Sequence, residues 1–268
     1  MEGTFATSLE RAKQKAQDVA GSGERYARFV QLLRDTDPWR FEKLSPAALE
    51  RDCLRIVDHH LLHLVPRVAR YMGSDVHRVL DFGCGSGGSA IALALAYPDV
   101  TCIGIDINPR EVAIAEQRAR LYDVASRCTF YCFAPGQQLP YQDGAFDLCL
   151  CSSVLEYVVD MNLRGFCIRE MTRLLGPGGR LFCSVPNRLY PLEIHTRRWG
   201  WNYFPKLMRA QTVDCTAWEV KRLARPVILK LYRTPWLELF RPWSNFCLRR
   251  EADEAAADSS DATTAPKG

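Results

Sequence analysis

The chain has 268 residues, 47% of them hydrophobic and 25% charged, with 17 Gly and 15 Pro. That is the profile of an ordinary globular protein, which excludes disorder, collagen and coiled coil as descriptions of the whole. The formal charge of +4, from 35 basic and 31 acidic residues, is too small to argue for nucleic acid by itself.

Eleven cysteines show no C-x-x-C and no paired metal spacing, so no metal site is expected. Most sit in apolar runs, where free Cys behaves as a small hydrophobe, and that favours a reducing, cytoplasmic setting. No basic flank with an apolar stretch follows Met1, so no secretory signal is expected. The longest apolar run, 90–97, is far below the roughly 20 residues that a spanning helix needs, so no transmembrane segment is expected either.

In chain order, residues 1–45 read as polar and helical, with a break at Gly21-Ser22-Gly23 and an apolar stripe of Tyr26, Phe29, Val30 and Leu33 at spacings of three and four. Ser45-Pro46 announces a second helix carrying Leu49, Cys53, Ile56, Val57, His60, Leu61 and Leu64, kinked at Pro66 and ended at Gly73. From about residue 77 the pattern changes. Strands are expected at 77–82, 100–106, 128–133, 146–151 and 180–185, with helices at 89–97, 109–122 and 162–175. Such alternation implies βαβ units and a mostly parallel sheet covered on both faces, with ligands at the carboxyl ends of the strands.

Residues 186–250 hold five of the six tryptophans and thirteen Arg or Lys against four Asp or Glu, a balance of +9. The last stretch, 251–268, has five acids and one Lys and reads as a disordered acidic tail.

The strongest chemical signal is Val79-Leu80-Asp81-Phe82-Gly83-Cys84-Gly85-Ser86-Gly87-Gly88. Glycines let the backbone turn tightly and let a ligand lie against it. Gly83, Gly85 and Gly88 also satisfy the dinucleotide spacing G-x-G-x-x-G, so the loop alone leaves a nicotinamide cofactor and a simple tight turn open. Asp106 closes the second strand about twenty residues on, where a carboxylate can accept from both ribose hydroxyls. Asp81 argues against pyrophosphate, which a neighbouring carboxylate repels, and for a positively charged amino-acid moiety.

In order, Leu80 to Gly87, Gly104-Ile105-Asp106, Leu139-Pro140-Tyr141, Phe146-Asp147-Leu148 and Leu174 to Gly179 closely resemble the class I S-adenosylmethionine-dependent methyltransferases, over about residues 75–186. The resemblance implies a Rossmann-like α/β fold: a seven-stranded, mostly parallel sheet with an antiparallel last strand at 244–250. It implies S-adenosylmethionine as cofactor, with Asp81, Gly83, Gly85 and Gly87 toward its methionine end and Asp106 on the ribose. Ile107 would pack on adenine, and Cys151 and Ser152 would line the methyl end. Many relatives carry an Asp for the adenine amino group where this chain reads Ala134-Pro135-Gly136-Gln137-Gln138, which leaves Gln137 or a backbone carbonyl for that contact. The division expected is a helical arm (1–75), a cofactor-binding core (76–186), a helical and aromatic cap with the last strands (187–250), and the tail (251–268).

Methyl transfer from a sulfonium needs an aligned nucleophile and, for a hydroxyl, a base. The Asn/Asp-Pro-Pro-Tyr/Phe tetrapeptide of base-amino methyltransferases is absent after the fourth strand, which reads Cys151-Ser152-Ser153-Val154. His195 is the candidate base, with a surface or structural role as the alternative. Glu156 and Tyr157 are read as capping or packing residues, and His59, His60 and His63 as a helix face. The aromatic, basic stretch 187–210 suits an anionic lipid surface, an aromatic or lipid-linked substrate, or an RNA backbone, with an inward-packed cap and a basic rim as the alternative. The expected activity is O-methylation of a small or lipid-linked metabolite, by a cytoplasmic enzyme with peripheral membrane contact. The alternatives are an inactive methyltransferase-like scaffold or regulator, and an RNA methyltransferase.

Overall fold

The computed structural model describes residues 2–20, 23–45, 48, 56–187, 189–191, 199–200, 215–237 and 241–251. The arm opens with helices α1 (Glu2–Ala20), α2 (Glu24–Thr36) and α3 (Pro38–Glu42). Gly23 precedes α2 with φ 41°, at the expected break. Phe29 and Leu33 are buried, and Val30 packs beside them. Ser45 Oγ accepts the Ala48 N–H at 3.3 Å, the bond expected of a helix cap. Leu49 and Cys53 lie outside the described residues. The next helices are α4 (Ile56–His63) and the single turn α5 (Val65–Val68). The helix is interrupted at Leu64, and Pro66, which has no N–H to give, stands in the first turn of α5.

The sheet and its crossovers follow: β1 (Arg78–Phe82), α6 (Gly88–Ala96), β2 (Thr101–Asp106), α7 (Pro109–Leu121), β3 (Cys128–Cys132), β4 (Phe146–Ser152), α8 (Met161–Leu174), β5 (Leu175–Pro186), α9 (Ala217–Leu223), β6 (Leu229–Leu231) and β7 (Trp243–Arg250). The seven strands run in the order β3-β2-β1-β4-β5-β7-β6. β1 to β5 are parallel neighbours, and β7 runs antiparallel to both β5 and β6. The last strand in the chain is therefore antiparallel, as expected, but it is not the edge. The three-residue β6, too short to leave a period-2 signal, covers it. β5 also starts earlier than the sequence suggests and includes Gly176–Gly179, with a register irregularity between Phe146 and Leu148 on its neighbour.

The winding reverses between β1 and β4, and such switch points are where doubly wound sheets hold ligands. One face of the sheet packs under α1, α2, α4, α6 and α7, the other under α8 and α9. α6 explains the arm. Its sequence, Gly-Ser-Ala-Ile-Ala-Leu-Ala-Leu-Ala, is apolar around nearly its whole circumference and almost every residue is buried, so it must be covered on both sides. Residues of α1 and α4 supply the outer cover: Ala12, Ala16, Val57 and Leu61 join Ile91 and Leu93 in one cluster. Burial of a side chain such as Leu93 stabilises by about 2–3 kcal/mol, and truncating it to Ala costs about 2–5 kcal/mol.

Candidate active site

β1 delivers the chain into the glycine loop at the switch point. The Gly83 and Cys84 N–H groups both donate to Ile105 O, at 2.8 and 2.9 Å, and Gly87 N–H donates to Cys84 O at 2.9 Å. Gly83 (φ 78°) and Gly85 (φ 50°) are left-handed, and they are glycines for different reasons. A Cβ on Gly83 would stand 2.3 Å from Val154 Cγ2, whereas a Cβ on Gly85 would meet nothing within 4 Å. Gly85 instead faces a cleft. Gly87 lies beneath the loop, where a Cβ would come within 2.8 Å of Ala115 and 3.0 Å of Phe130. It packs the loop onto α7 and is absent from the cleft lining.

Asp106 ends β2 at the cleft floor. Its Oδ2 accepts the Gly85 N–H and its Oδ1 the Asn108 N–H, each at 2.9 Å. Asn108 in turn caps α7 by accepting the Arg110 N–H at 3.1 Å. The Asp106 carboxylate is thus held in one orientation with lone pairs left for a ligand. Ile107, 66% exposed, follows it on the cleft wall. Asp81 is placed otherwise: it is buried, accepts the Ser89 hydroxyl and the Ala90 N–H at the start of α6, and is absent from the cleft lining. Burial pushes its carboxyl up to about 6, and Asp106 adds to the rise, against the lowering effect of its two hydrogen bonds.

The cleft has a volume of about 440 Å³ and is mostly apolar, with Phe82, Ile105, Phe133, Leu139, Val154 and Phe166 among its walls. On one side Ala134-Pro135-Gly136-Gln137 forms a turn, with Gln137 N–H on Ala134 O at 3.1 Å and Gly136 at φ 77°. Gln137 lines the cleft, but its Oε1 folds back to accept the Ala134 N–H at 3.2 Å. The next residues are clamped from α8. Glu170 Oε1 accepts the Leu139 N–H at 2.8 Å, and Arg173 donates to Leu139 O, Tyr141 O and Asp143 Oδ1 at 3.1, 2.8 and 2.6 Å. Two further bonds join Arg173 to Glu170, at 2.7 and 2.9 Å, and that carboxylate holds the guanidinium well above its ordinary range. This clamp leaves little mark on the sequence. Its one local trace is Glu170 three residues before Arg173 on a helix.

The opposite wall leaves β4 at Ser153, a non-glycine residue at φ 58° whose N–H donates to Ser184 O at 2.9 Å. Ser153, Val154, Tyr157, Val158 and Val159 line it. Cys151 and Ser152 are not brought to the cleft. Cys151 is fully buried against the Cys183 thiol, and Ser152 is half-buried at the strand end, so the lining starts one residue further on. Glu156 is also fully buried. His195 lies outside the described residues. Cys167, also on the cleft wall, has its thiol pushed up to about 11 by burial. His60 packs against Gly88, and desolvation, helped by His59 and Arg118, lowers it to about 4. Among the described residues no group of three His, Cys, Asp or Glu is arranged to hold a metal, and no helix is long and apolar enough to cross a membrane.

The chain is similar to known proteins over part of its length. A stretch of 114 residues, 41% of this chain and 40% of the relative, is 41% identical to 27-O-demethylrifamycin SV methyltransferase of Amycolatopsis mediterranei. Another of 103 residues, 38% of this chain and 34% of the relative, is 37% identical to ajmaline N-methyltransferase of Rauvolfia serpentina. The match therefore spans less than half the length of either relative. Among solved structures, the N-methyltransferase NodS of Bradyrhizobium japonicum, in complex with S-adenosyl-L-homocysteine, superposes with a TM-score of 0.50 at 22% identity, over 85% of this chain and 99% of that one, which supports the fold. A family model described as a methyltransferase domain matches residues 74–238, more than half of the chain and the whole of the cleft. The chain belongs to the class I S-adenosylmethionine-dependent methyltransferases, and S-adenosylmethionine is its cofactor.

Proposed function

We propose that the cleft at the β1–β4 switch point holds S-adenosylmethionine and that the chain methylates an oxygen of a small or lipid-linked acceptor. The observation that carries the cofactor placement is the Gly85–Asp106 pair: an open left-handed backbone beside a carboxylate whose oxygens are both oriented by backbone N–H groups. The residues fit the cofactor. Asp106 accepts from ribose hydroxyls, Ile107, Phe133 and Leu139 offer apolar surface to adenine, and Gly83 and Gly85 leave the methionine end room. Gln137 or the backbone of the 134–137 turn receives the adenine amino group. Asp81 acts at one remove, as a buried charge beneath the loop that favours a cationic ligand above it.

The bound cofactor supplies a methyl group on a cationic sulfur. The protein aligns, desolvates and deprotonates. Val154, Val158 and Phe166 exclude water, which strengthens the orientation of any nucleophile set against the methyl carbon. Of the ionisable groups on the described lining, Glu170 is committed to Arg173 and Cys167 has its thiol shifted upward. The base for a hydroxyl acceptor is assigned to His195, which follows β5 in the sequence, in preference to Tyr157, which also lines the cleft. Oxygen is favoured by the rifamycin-type relative. A nitrogen acceptor, as in the ajmaline relative, is the second reading and needs no base if the amine arrives neutral. Exposed Trp199 and Leu189 support membrane contact by the cap.

Labelled cofactor incubated with cell extract, followed by mass spectrometry of the labelled product, tests the activity. An O-methylated product that disappears with Asp106→Ala and slows with His195→Ala is expected. A product labelled on nitrogen and indifferent to His195 would replace the oxygen reading. Liposome flotation of wild type against Trp199→Ala tests the membrane contact, and recovery of both with unbound protein rejects it.

A further inference from the structure

Arg164 has no solvent exposure, and the reaction has no evident use for a cation at its position. It stands in the first turn of α8, with two carbonyls and a carboxylate among its acceptors. Nε donates to Val158 O at 3.0 Å, Nη2 to Leu155 O at 2.7 Å and Nη1 to Glu219 Oε1 at 3.2 Å. The two carbonyls belong to the turn that leads from β4 into the cleft wall of Tyr157, Val158 and Val159. The carboxylate belongs to the first turn of α9, the first described helix after the aromatic, basic stretch 187–210. Thr216 caps α9 by accepting the Glu219 N–H at 3.2 Å. In the capping-box pattern, Thr-x-x-Glu, the acidic side chain turns back to its own N-cap. Here one of its oxygens is directed to Arg164.

Removing a guanidinium and a carboxylate from water costs several kcal/mol, and buried pairs of this kind are often replaceable by apolar residues without loss of stability. A planar fork that engages two carbonyls of one turn and a carboxylate of another helix does fix geometry. We propose that Arg164 is a positioning residue for the cofactor cleft: it sets the 155–159 wall and, through Glu219, ties that wall to α9 at the border of the cap. The cleft and the cap border then respond to ligand as one unit. The proposal rests on the cleft being the cofactor site.

The test titrates the full chain calorimetrically with S-adenosylhomocysteine and records ligand-free melting, for wild type, Arg164→Lys and Glu219→Gln. A lysine ammonium cannot span these acceptors, so Arg164→Lys is expected to bind about tenfold more weakly. Glu219→Gln keeps an oxygen acceptor and should lose less. Arg164→Lys affinity within about threefold of wild type overturns the proposal, even if its melting temperature falls, because a merely structural role lowers melting without changing affinity. Hydrogen exchange on wild type decides the matter should the variants fail to fold. Ligand should slow exchange at 155–159 and also in α9, and slowing confined to 155–159 overturns the tie to the cap border. Absence of binding by wild type overturns the cleft reading itself, whereas normal binding by Arg164→Lys overturns only the role of Arg164.

Discussion

Gly85→Ala separates what the glycine loop does for the fold from what it does for the ligand. The backbone at Gly85 is left-handed, with φ 50°, and an L-residue there costs about 1–2 kcal/mol. No clash adds to this, because the new Cβ meets nothing within 4 Å, and the N–H bond to Asp106 is untouched. For a chain of this length that loss lowers melting by about 2–8 °C. The methyl projects into the cleft, however, where a bound cofactor must lie against the backbone. Forcing a methyl into a fitted contact costs about 1–3 kcal/mol, or roughly five- to 150-fold in affinity. Gly87→Ala makes the opposite bargain. It shares a left-handed backbone (φ 82°) but would drive a Cβ within 2.8 Å of Ala115 and 3.0 Å of Phe130, so it should lose stability first. Calorimetric titration with S-adenosylhomocysteine alongside thermal melting reads both quantities. If Gly85→Ala binds within about threefold of wild type while melting lower, the loop is a structural turn and the placement of the cofactor against it is wrong.

Further outcomes follow from the charges around the loop. The Asp81 carboxyl is raised to about 6 in the folded protein from an ordinary value of 3.8. Stability that depends on its neutral form is fully present below the ordinary value and is lost as pH rises through about 6, by about 3 kcal/mol in all. Asp81→Asn should therefore melt higher relative to wild type at pH 7.5 than at pH 4.5 (roughly the two ends of that window), and the reverse order would refute the burial argument. Arg173→Leu leaves Glu170, only 5% exposed, without its cation and frees the 139–143 loop. Urea unfolding should show a loss of about 2–4 kcal/mol, and a loss under about 0.5 kcal/mol would mean the clamp is a surface pair.

The strands and the loop were legible because they depend on local chemistry. A switch from period 3.6 to short apolar runs marks β1 to β5, and left-handed turns at a strand end demand glycine. Asp106 was legible by its distance from that loop. Cys151 is on the same face as the cleft, under α8, but its thiol packs down on Cys183, and that depth is invisible until the sheet is paired. The sequence puts Asp81 beside the loop and toward the ligand, yet it turns to Ser89 and the start of α6, because the strand end and the helix start are neighbours only once the loop has closed. Glu170, Arg173 and Arg164 escaped notice because their partners lie elsewhere: Leu139 and Glu219 are 31 and 55 residues from Glu170 and Arg164 along the chain. Contacts of that range leave no periodic trace.

A crystal structure with S-adenosylhomocysteine bound tests the central claim most directly. It should place both ribose hydroxyls within about 2.6–3.2 Å of the Asp106 carboxylate, with adenine beside Ile107 and the amino-acid end over Gly83 and Gly85. A ligand seated elsewhere, or in the cleft with Asp106 out of reach, would contradict it.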